Sequence, residues 1–383
     1  MQDSFTIVNA QVVTPDGVRK NTSLQVEKGR IAGIGKNIPP GIREIDAAGA
    51  YLFPGFVDTH SDAIEKGIEP RPNTFFPVDI AVFELDKKIA ACGITTIFHS
   101  LSFAELEVGL RNNNTAAEII REIHQFRHKL KVNTKIHARF EITDRGAMPV
   151  LEQLIQDDQI QLFSFMDHSP GQGQFQDILS FKNYYGRVYA KSDQDMDRII
   201  ERKLRARETV TSQDIMRLVG MCHEHGITTA SHDDDSSRKI NWLKEMDIRM
   251  TEFPVTMDAA QAARESGIHV CLGSPNVVRG KSQSSNLNAR EAIRSGYGDI
   301  LCSDYSPMTM IHAVFALERN GILPLHEAVN MVSLNPACAV GIADHTGSLD
   351  TGKNADMVIV EHSDGLPKIL RTFVAGKEAF ATC

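Results

Sequence analysis

The chain has 383 residues, 42% of them hydrophobic and 23% charged, with a formal net charge of -8 at pH 7. That length allows one large domain plus a smaller one, with enough apolar mass for a sizeable core. The acidic balance and the lack of a basic tract argue against a general nucleic-acid binder, and no apolar run approaches the ~18 residues of a membrane span.

Residues 1–52 read as short strands joined by turns. Phe5-Thr6-Ile7-Val8 and Gln11-Val12-Val13 lead to Pro15-Asp16-Gly17, and Ser23-Leu24-Gln25-Val26 leads to Lys28-Gly29-Arg30-Ile31. Glycine-bearing turns between β-rich runs signal hairpins. The C-terminus repeats the style in Asp356-Met357-Val358-Ile359-Val360 and in Ile369–Lys377. Two β-rich ends around a different middle predict a small β-sandwich built from 1–52 and 345–383.

The middle, 53–344, alternates strand and helix. Strands are expected at 55–62, 94–101, 134–142, 160–168, 227–233, 249–255, 269–275 and 299–304. Helices are expected at 78–92, 115–130, 148–157, 193–209, 212–225, 237–246, 258–266 and 311–320. Gly93, Gly226 and Gly267 each stand where a helix stops, and each is followed by Ile. Eight such units predict a (β/α)₈ barrel. The alternative, an open doubly wound sheet, lacks support because no glycine-rich phosphate loop follows any strand.

Barrel active sites gather where the strands end. The first strand runs out in Asp58-Thr59-His60-Ser61-Asp62, and a period of two sends His60 and Asp62 to one face. Other strands end near Glu141, His168, His232 and Asp304. A lone His at a strand end is more often a satisfied polar residue than a ligand, but six such groups on one rim reverse those odds. Nitrogen and oxygen donors without thiolates suit zinc, manganese or iron. Six exceed the roughly three of a mononuclear catalytic site, so two divalent ions are expected. Glu141 could bridge them; Asp304 is placed as proton acceptor for the attacking water and as a further ligand.

This constellation, the β-rich ends and the join at Asp46-Ala47-Ala48-Gly49-Ala50 resemble the amidohydrolase superfamily. His60-x-Asp62 departs from that superfamily's usual His-x-His, moving the chain away from its dihydroorotase and deaminase branches. Within the superfamily the chain is similar to the diphosphatases of the carbon–phosphorus lyase pathway. The similarity rests on Asp58–Asp62, Pro70-Arg71-Pro72, Asp167-His168-Ser169-Pro170-Gly171-Gln172, Ser231-His232-Asp233-Asp234, Glu252-Phe253-Pro254, Pro275-Asn276-Val277-Val278-Arg279-Gly280 and Ser303-Asp304-Tyr305. Gly173 stands where that family has a basic residue, and Lys281–Ser285 is also a variant context.

The resemblance implies hydrolysis of a ribose 5-triphosphate bearing a 1-phosphonate, with pyrophosphate released, in phosphonate catabolism. Phosphate charge needs cationic donors, and Arg71, Arg279 and Lys281 follow rim strands, so they are the expected substrate-binding residues. The expected partner is a small phosphorylated molecule, with no nucleic acid and no membrane; a homo-oligomer stays open. Six scattered cysteines without C-x-x-C spacing, and a start without a charged and then apolar leader, point to a reducing, cytoplasmic setting. Two other readings remain: C–N hydrolysis by a deacylase or cyclic amidase, and a non-catalytic barrel within a pathway complex. His124, His128, His223, His225, Lys191 and the charged tract Glu201–Glu208 read as structural or solvated, and Glu252 as a neighbour of the site.

Overall fold

A computed structural model describes residues 4–36, 38, 43–105, 110–169, 178–179, 182, 193–207, 210–282, 286–363 and 365–382. Pro170–Gly173, Lys191 and Gln283–Ser285 lie outside the described residues.

The N-terminal strands are β1 (Phe5–Thr14), β2 (Gly17–Glu27), β3 (Arg30–Gly35), β4 (Glu44–Asp46) and β5 (Tyr51–Pro54). The parallel strands of the middle are β6 (Phe56–Ser61), β7 (Ile94–Phe103), β8 (Asn133–Glu141), β9 (Leu162–Met166), β10 (Thr228–His232), β11 (Met250–Glu252), β12 (His269–Gly273) and β13 (Ile300–Cys302). The chain ends with β14 (Met357–Ser363), β15 (Leu366–Val374) and β16 (Lys377–Ala381).

The terminal strands form one hydrogen-bonded path, β16-β15-β14-β5-β1-β2-β3, with β4 beside β1. Both ends of the chain meet where β5 pairs antiparallel with β14, Leu52 opposite Ile359 and Phe53 opposite Val358. In a flat sheet β1 and β15 would lie about 14 Å apart, at about 4.8 Å per strand. Yet the rings of Phe5 and Phe373 are 5.3 Å apart. The sheet therefore folds over itself around Ile7, Leu24, Met357 and Phe373, giving the sandwich expected from the two β-rich ends. The β2–β3 turn completes the closure: a Cβ on Gly29, at φ +78, would lie 2.6 Å from the carbonyl oxygen of Ala375.

The middle strands run β6 to β13 in strict chain order, every neighbouring pair parallel. Helices Val78–Ala91, Asn113–Phe126, Met148–Gln156, Asp193–Arg207, Ser212–Glu224, Ser237–Glu245, Met257–Glu265 and Thr309–Arg319 lie where the periodicity predicts them. Gly93, Gly226 and Gly267 have positive φ, the left-handed cap that ends a helix. One expectation differs in detail. Ser274 and Pro275, expected to end the strand 269–275, and the following run to Arg279, expected as loop, form a short helix, Ser274–Arg279. Proline fixes φ near the helical value and its missing N–H costs nothing in a first turn.

Alternation along the strands sorts the barrel into layers. Phe98, Leu162, Ala230, Met250, Cys271 and Ile300 pack together as an apolar floor inside it, while Ile97, Ala138, Phe163, Val270 and Leu301 pack with the helices outside. Two residues beyond the floor stand polar groups: Ser100, Ser164, His232 and Glu252. The ring closes at its carboxyl rim. The Asp304 N–H donates to the His60 carbonyl (3.0 Å) and the Asp62 N–H to the Asp304 carbonyl (2.8 Å). Lower down, the carbonyls of Met331 and Val332 accept from Leu301 and Val57. The five cysteines among the described residues are free thiols, and among those residues no helix is long and apolar enough to cross a membrane.

Candidate metal centre

His60 and Asp62 leave β6 after a register shift between Asp58 and Ser61, and they converge as the spacing predicts. His60 Nε2 lies 3.5 Å from Asp62 Oδ1, and its other nitrogen, Nδ1, lies 3.0 Å from Glu252 Oε1. A carboxylate behind one ring nitrogen fixes the tautomer and offers the other nitrogen forward, the arrangement that orients metal-binding histidines. Burial would lower the His60 imidazole, but Glu252 and Asp62 outweigh it and pull the group up to about 10. Burial likewise works against the Glu252 carboxylate, which His137 and His60 hold down at about 2.

His60, His137 and Glu252 place one ligand atom each within 4.8 Å of one another. Hydrogen bonding separates their roles. Both nitrogens of His137 are occupied, Nδ1 by Ser100 Oγ (3.1 Å) and Nε2 by Ser164 Oγ (2.8 Å). His137 thus packs and braces the site, and burial keeps it neutral, with its imidazole lowered to about 3.

His168, His232 and Asp233 form a second group with ligand atoms within 4.8 Å of one another. Asp233 Oδ2 lies 2.9 Å from His232 Nδ1 and 3.3 Å from His168 Nε2. Behind His168, Nδ1 lies 3.1 Å from Glu141 Oε2. Glu141 also accepts from Thr143 Oγ1 (3.0 Å) and from the backbone N–H of His168 (3.3 Å). Burial opposes charge on Asp233, but His232 and His168 hold its carboxyl far below the usual range. Burial lowers His232. These all-buried nitrogen and oxygen donors, two of them backed by a carboxylate or a second acid, fit a divalent ion of the zinc, manganese or iron class.

The two groups adjoin. The rings of His60 and His232 are 5.5 Å apart, and Phe253 packs edge-on against both. Between them stands Arg139 of β8. Its Nη1 donates to Asp62 Oδ1 at 2.9 Å and its Nη2 lies 3.4 Å from His232 Nε2. Asp304 sits beside this cluster at φ +56. Burial first, and Asp62 second, push its carboxyl up to about 7. Asp234 anchors the loop below through Ser231 Oγ (2.6 Å), Lys239 Nζ (2.7 Å) and Thr251 Oγ1.

The six expected ligands are thus distributed as follows. His60 and Asp62 face each other, His168 and His232 share Asp233, Glu141 grips His168, and Asp304 closes the rim. Arg71, Arg279 and Lys281 are exposed. Arg71 forms an isolated bridge with Thr74 and Arg279 ends the 274–279 helix. Asn276, in the same run, works structurally, donating to the Leu287 carbonyl and accepting from the Ala289 N–H. Reading the last residue of each strand missed His137, Arg139 and Asp233. The period-two run His137-x-Arg139-x-Glu141 was the available signal for the first two.

Comparison with known proteins agrees with this geometry. Residues 193–380 match the amidohydrolase family model. The chain is 31% identical over 363 residues to the alpha-D-ribose 1-methylphosphonate 5-triphosphate diphosphatase of Escherichia coli (strain K12), covering 94% of this chain and 96% of that protein. L-hydantoinase (dihydropyrimidinase) from Arthrobacter aurescens superposes with a TM-score of 0.67 at 18% identity, over 99% of this chain and 96% of the other. N-acetylglucosamine-6-phosphate deacetylase from Pasteurella multocida gives 0.65 at 16% identity, over 98% and 99%. The two superpositions establish the shared barrel and terminal sheet, and the full-length sequence match establishes the lineage: the chain belongs to the amidohydrolase family and is a hydrolase.

Proposed function

We propose that the chain is a metal-dependent diphosphatase that releases pyrophosphate from a ribose 5-triphosphate bearing a 1-phosphonate, in phosphonate catabolism in the cytoplasm. The observation that carries this reading is the match along nearly the whole chain to a protein of that activity. The buried, thiolate-free donor sets support its metal dependence. Zinc, manganese or iron suits them, and His168–His232–Asp233 and His60–Asp62 are the two places offered.

A bound divalent ion supplies Lewis acidity toward a phosphoryl oxygen and lowers the pKa of water. The remaining work falls to the chain. Glu141 and Asp233 hold the rings of His168 and His232 in one orientation. Asp304 accepts the proton of the attacking water, whose oxygen bonds to the α-phosphorus as the α–β anhydride bond breaks and pyrophosphate leaves. Arg71, Arg279 and Lys281, exposed after rim strands, bind the polyphosphate, for which guanidinium groups offer paired donors.

A second reading, C–N hydrolysis, draws on the hydantoinase and deacetylase that share the fold. It needs no polyphosphate-binding arginines, so Arg71→Ala and Arg279→Ala should leave it nearly intact. The deciding experiment measures pyrophosphate release from a ribosyl 5-triphosphate with and without chelator. Chelator-sensitive release, with a raised KM in Arg279→Ala, is expected. No metal-dependent release, or turnover of a cyclic amide instead, overturns the diphosphatase reading.

A further inference from the structure

We propose that Arg139 occupies the His60–Asp62 place as a built-in cation, so that each chain binds one divalent ion, at His168–His232–Asp233, rather than two. The inference rests on the metal-dependent reading above. It departs from the count of six rim ligands, which implied two ions because it took Asp62 as available.

Asp62 is already engaged. Arg139 Nη1 lies 2.9 and 3.2 Å from its two carboxylate oxygens. Arg111 adds a second guanidinium, 3.7 Å from Asp62 while also paired with Glu65. A divalent ion taking Asp62 and His60 Nε2 as ligands would sit directly against the Arg139 guanidinium. Arginine stays protonated under all working conditions, so the two cations compete for one carboxylate.

Arg139 is poorly placed to yield. It is 4% exposed and rises from β8 between the inward-facing His137 and Glu141. Leaving Asp62 would strand a buried charge without its partner, which is strongly unfavourable. The same guanidinium also explains how His232 is shared. Nη2 faces the Nε2 side of that ring at 3.4 Å, while Nδ1 turns to Asp233. One side of the centre is completed by an ion and the other by an arginine.

The test is metal stoichiometry. The full chain is stripped with chelator, equilibrated with excess zinc, freed of unbound metal by gel filtration and analysed by plasma mass spectrometry. One zinc per chain is expected for the wild type and for Arg139→Lys, and two for Arg139→Met, which keeps an apolar stem and removes the charge. Asp62→Asn should still bind one zinc, with affinity changed less than about threefold, and His168→Ala should bind none. These two variants keep the test decisive if Arg139→Met does not fold. Two zinc ions in the wild type, or one lost in Asp62→Asn, would overturn the Arg139 inference alone. No zinc in the wild type at saturating metal would instead overturn the metal-dependent reading on which it rests.

Discussion

Glu141 offers the sharpest single-residue test of how the centre is held. Its carboxylate serves three donors: His168 Nδ1 at 3.1 Å, Thr143 Oγ1 at 3.0 Å and the His168 backbone N–H at 3.3 Å. Glu141→Gln keeps the volume but replaces one acceptor oxygen with an NH₂ donor. If the amide oxygen turns to His168 Nδ1, it also keeps the backbone N–H, which lies 3.3 Å from both carboxylate oxygens, and the NH₂ faces Thr143 Oγ1, whose hydroxyl can turn to accept. If it turns the other way, the NH₂ faces Nδ1, the ring shifts its proton to Nε2, and Nε2 can no longer take a metal. Either orientation loses the charge that fixes the tautomer. Removing such a supporting carboxylate weakens metal binding by about 10–100-fold, or about 1.4–2.8 kcal/mol at about 1.4 kcal/mol per tenfold. Because the first orientation keeps all three partners and loses only the charge, Glu141→Gln falls toward the lower end. Competition with a chromogenic zinc chelator measures it, with His168→Ala as the variant that loses binding outright. Unchanged affinity in Glu141→Gln would refute the orienting role. Loss as complete as in His168→Ala would make Glu141 itself a ligand.

Three further outcomes follow from named groups. Asp304→Asn should lower kcat by about 10²–10⁴, the usual contribution of a general base, while zinc content stays at the wild-type level; loss of zinc would make Asp304 a ligand instead. His99 is buried, and burial lowers its imidazole to about 4, against about 6.5 in an unfolded chain. Below pH 6.5 the unfolded chain takes up a proton that the folded one refuses, so stability is full above 6.5 and is lost as pH falls to 4, by about 3 kcal/mol. In urea unfolding, the stability difference between wild type and His99→Gln should therefore shift by about that amount between pH 7.5 and 4; a constant difference would refute it. Gly29→Ala must accommodate a Cβ 2.6 Å from the Ala375 carbonyl oxygen and a left-handed backbone costing about 1–2 kcal/mol. Scanning calorimetry should show a lower Tm, and an unchanged Tm would mean that the terminal sheet does not close at that turn.

The barrel was legible because its signals are local. Each strand is a short apolar run, and glycines such as Gly93 and Gly267 mark helix ends within one turn. The terminal sandwich was legible for the same reason, although its closure through Phe5 and Phe373 joins residues that no local pattern pairs. The site was legible as a set of strand ends and less so as a network. A strand end announces that His168 points inward; it does not announce that Glu141, 27 residues earlier, takes its Nδ1. His137 looks like a ligand until Ser100 and Ser164 are seen on its two nitrogens. Arg139 is the instructive case. In sequence it is a cation among carboxylates and imidazoles, with nothing to say whether it faces solvent or Asp62, 77 residues away. In the fold it changes the meaning of His60-x-Asp62. A His-x-His in this place would offer two imidazoles to a positive ion. Here a carboxylate replaces the second ring and a guanidinium stands against it, so the local charge is balanced before any metal arrives. The aspartate and the arginine act as one unit, because the guanidinium needs the Asp62 carboxylate to be buried and the carboxylate is held by it.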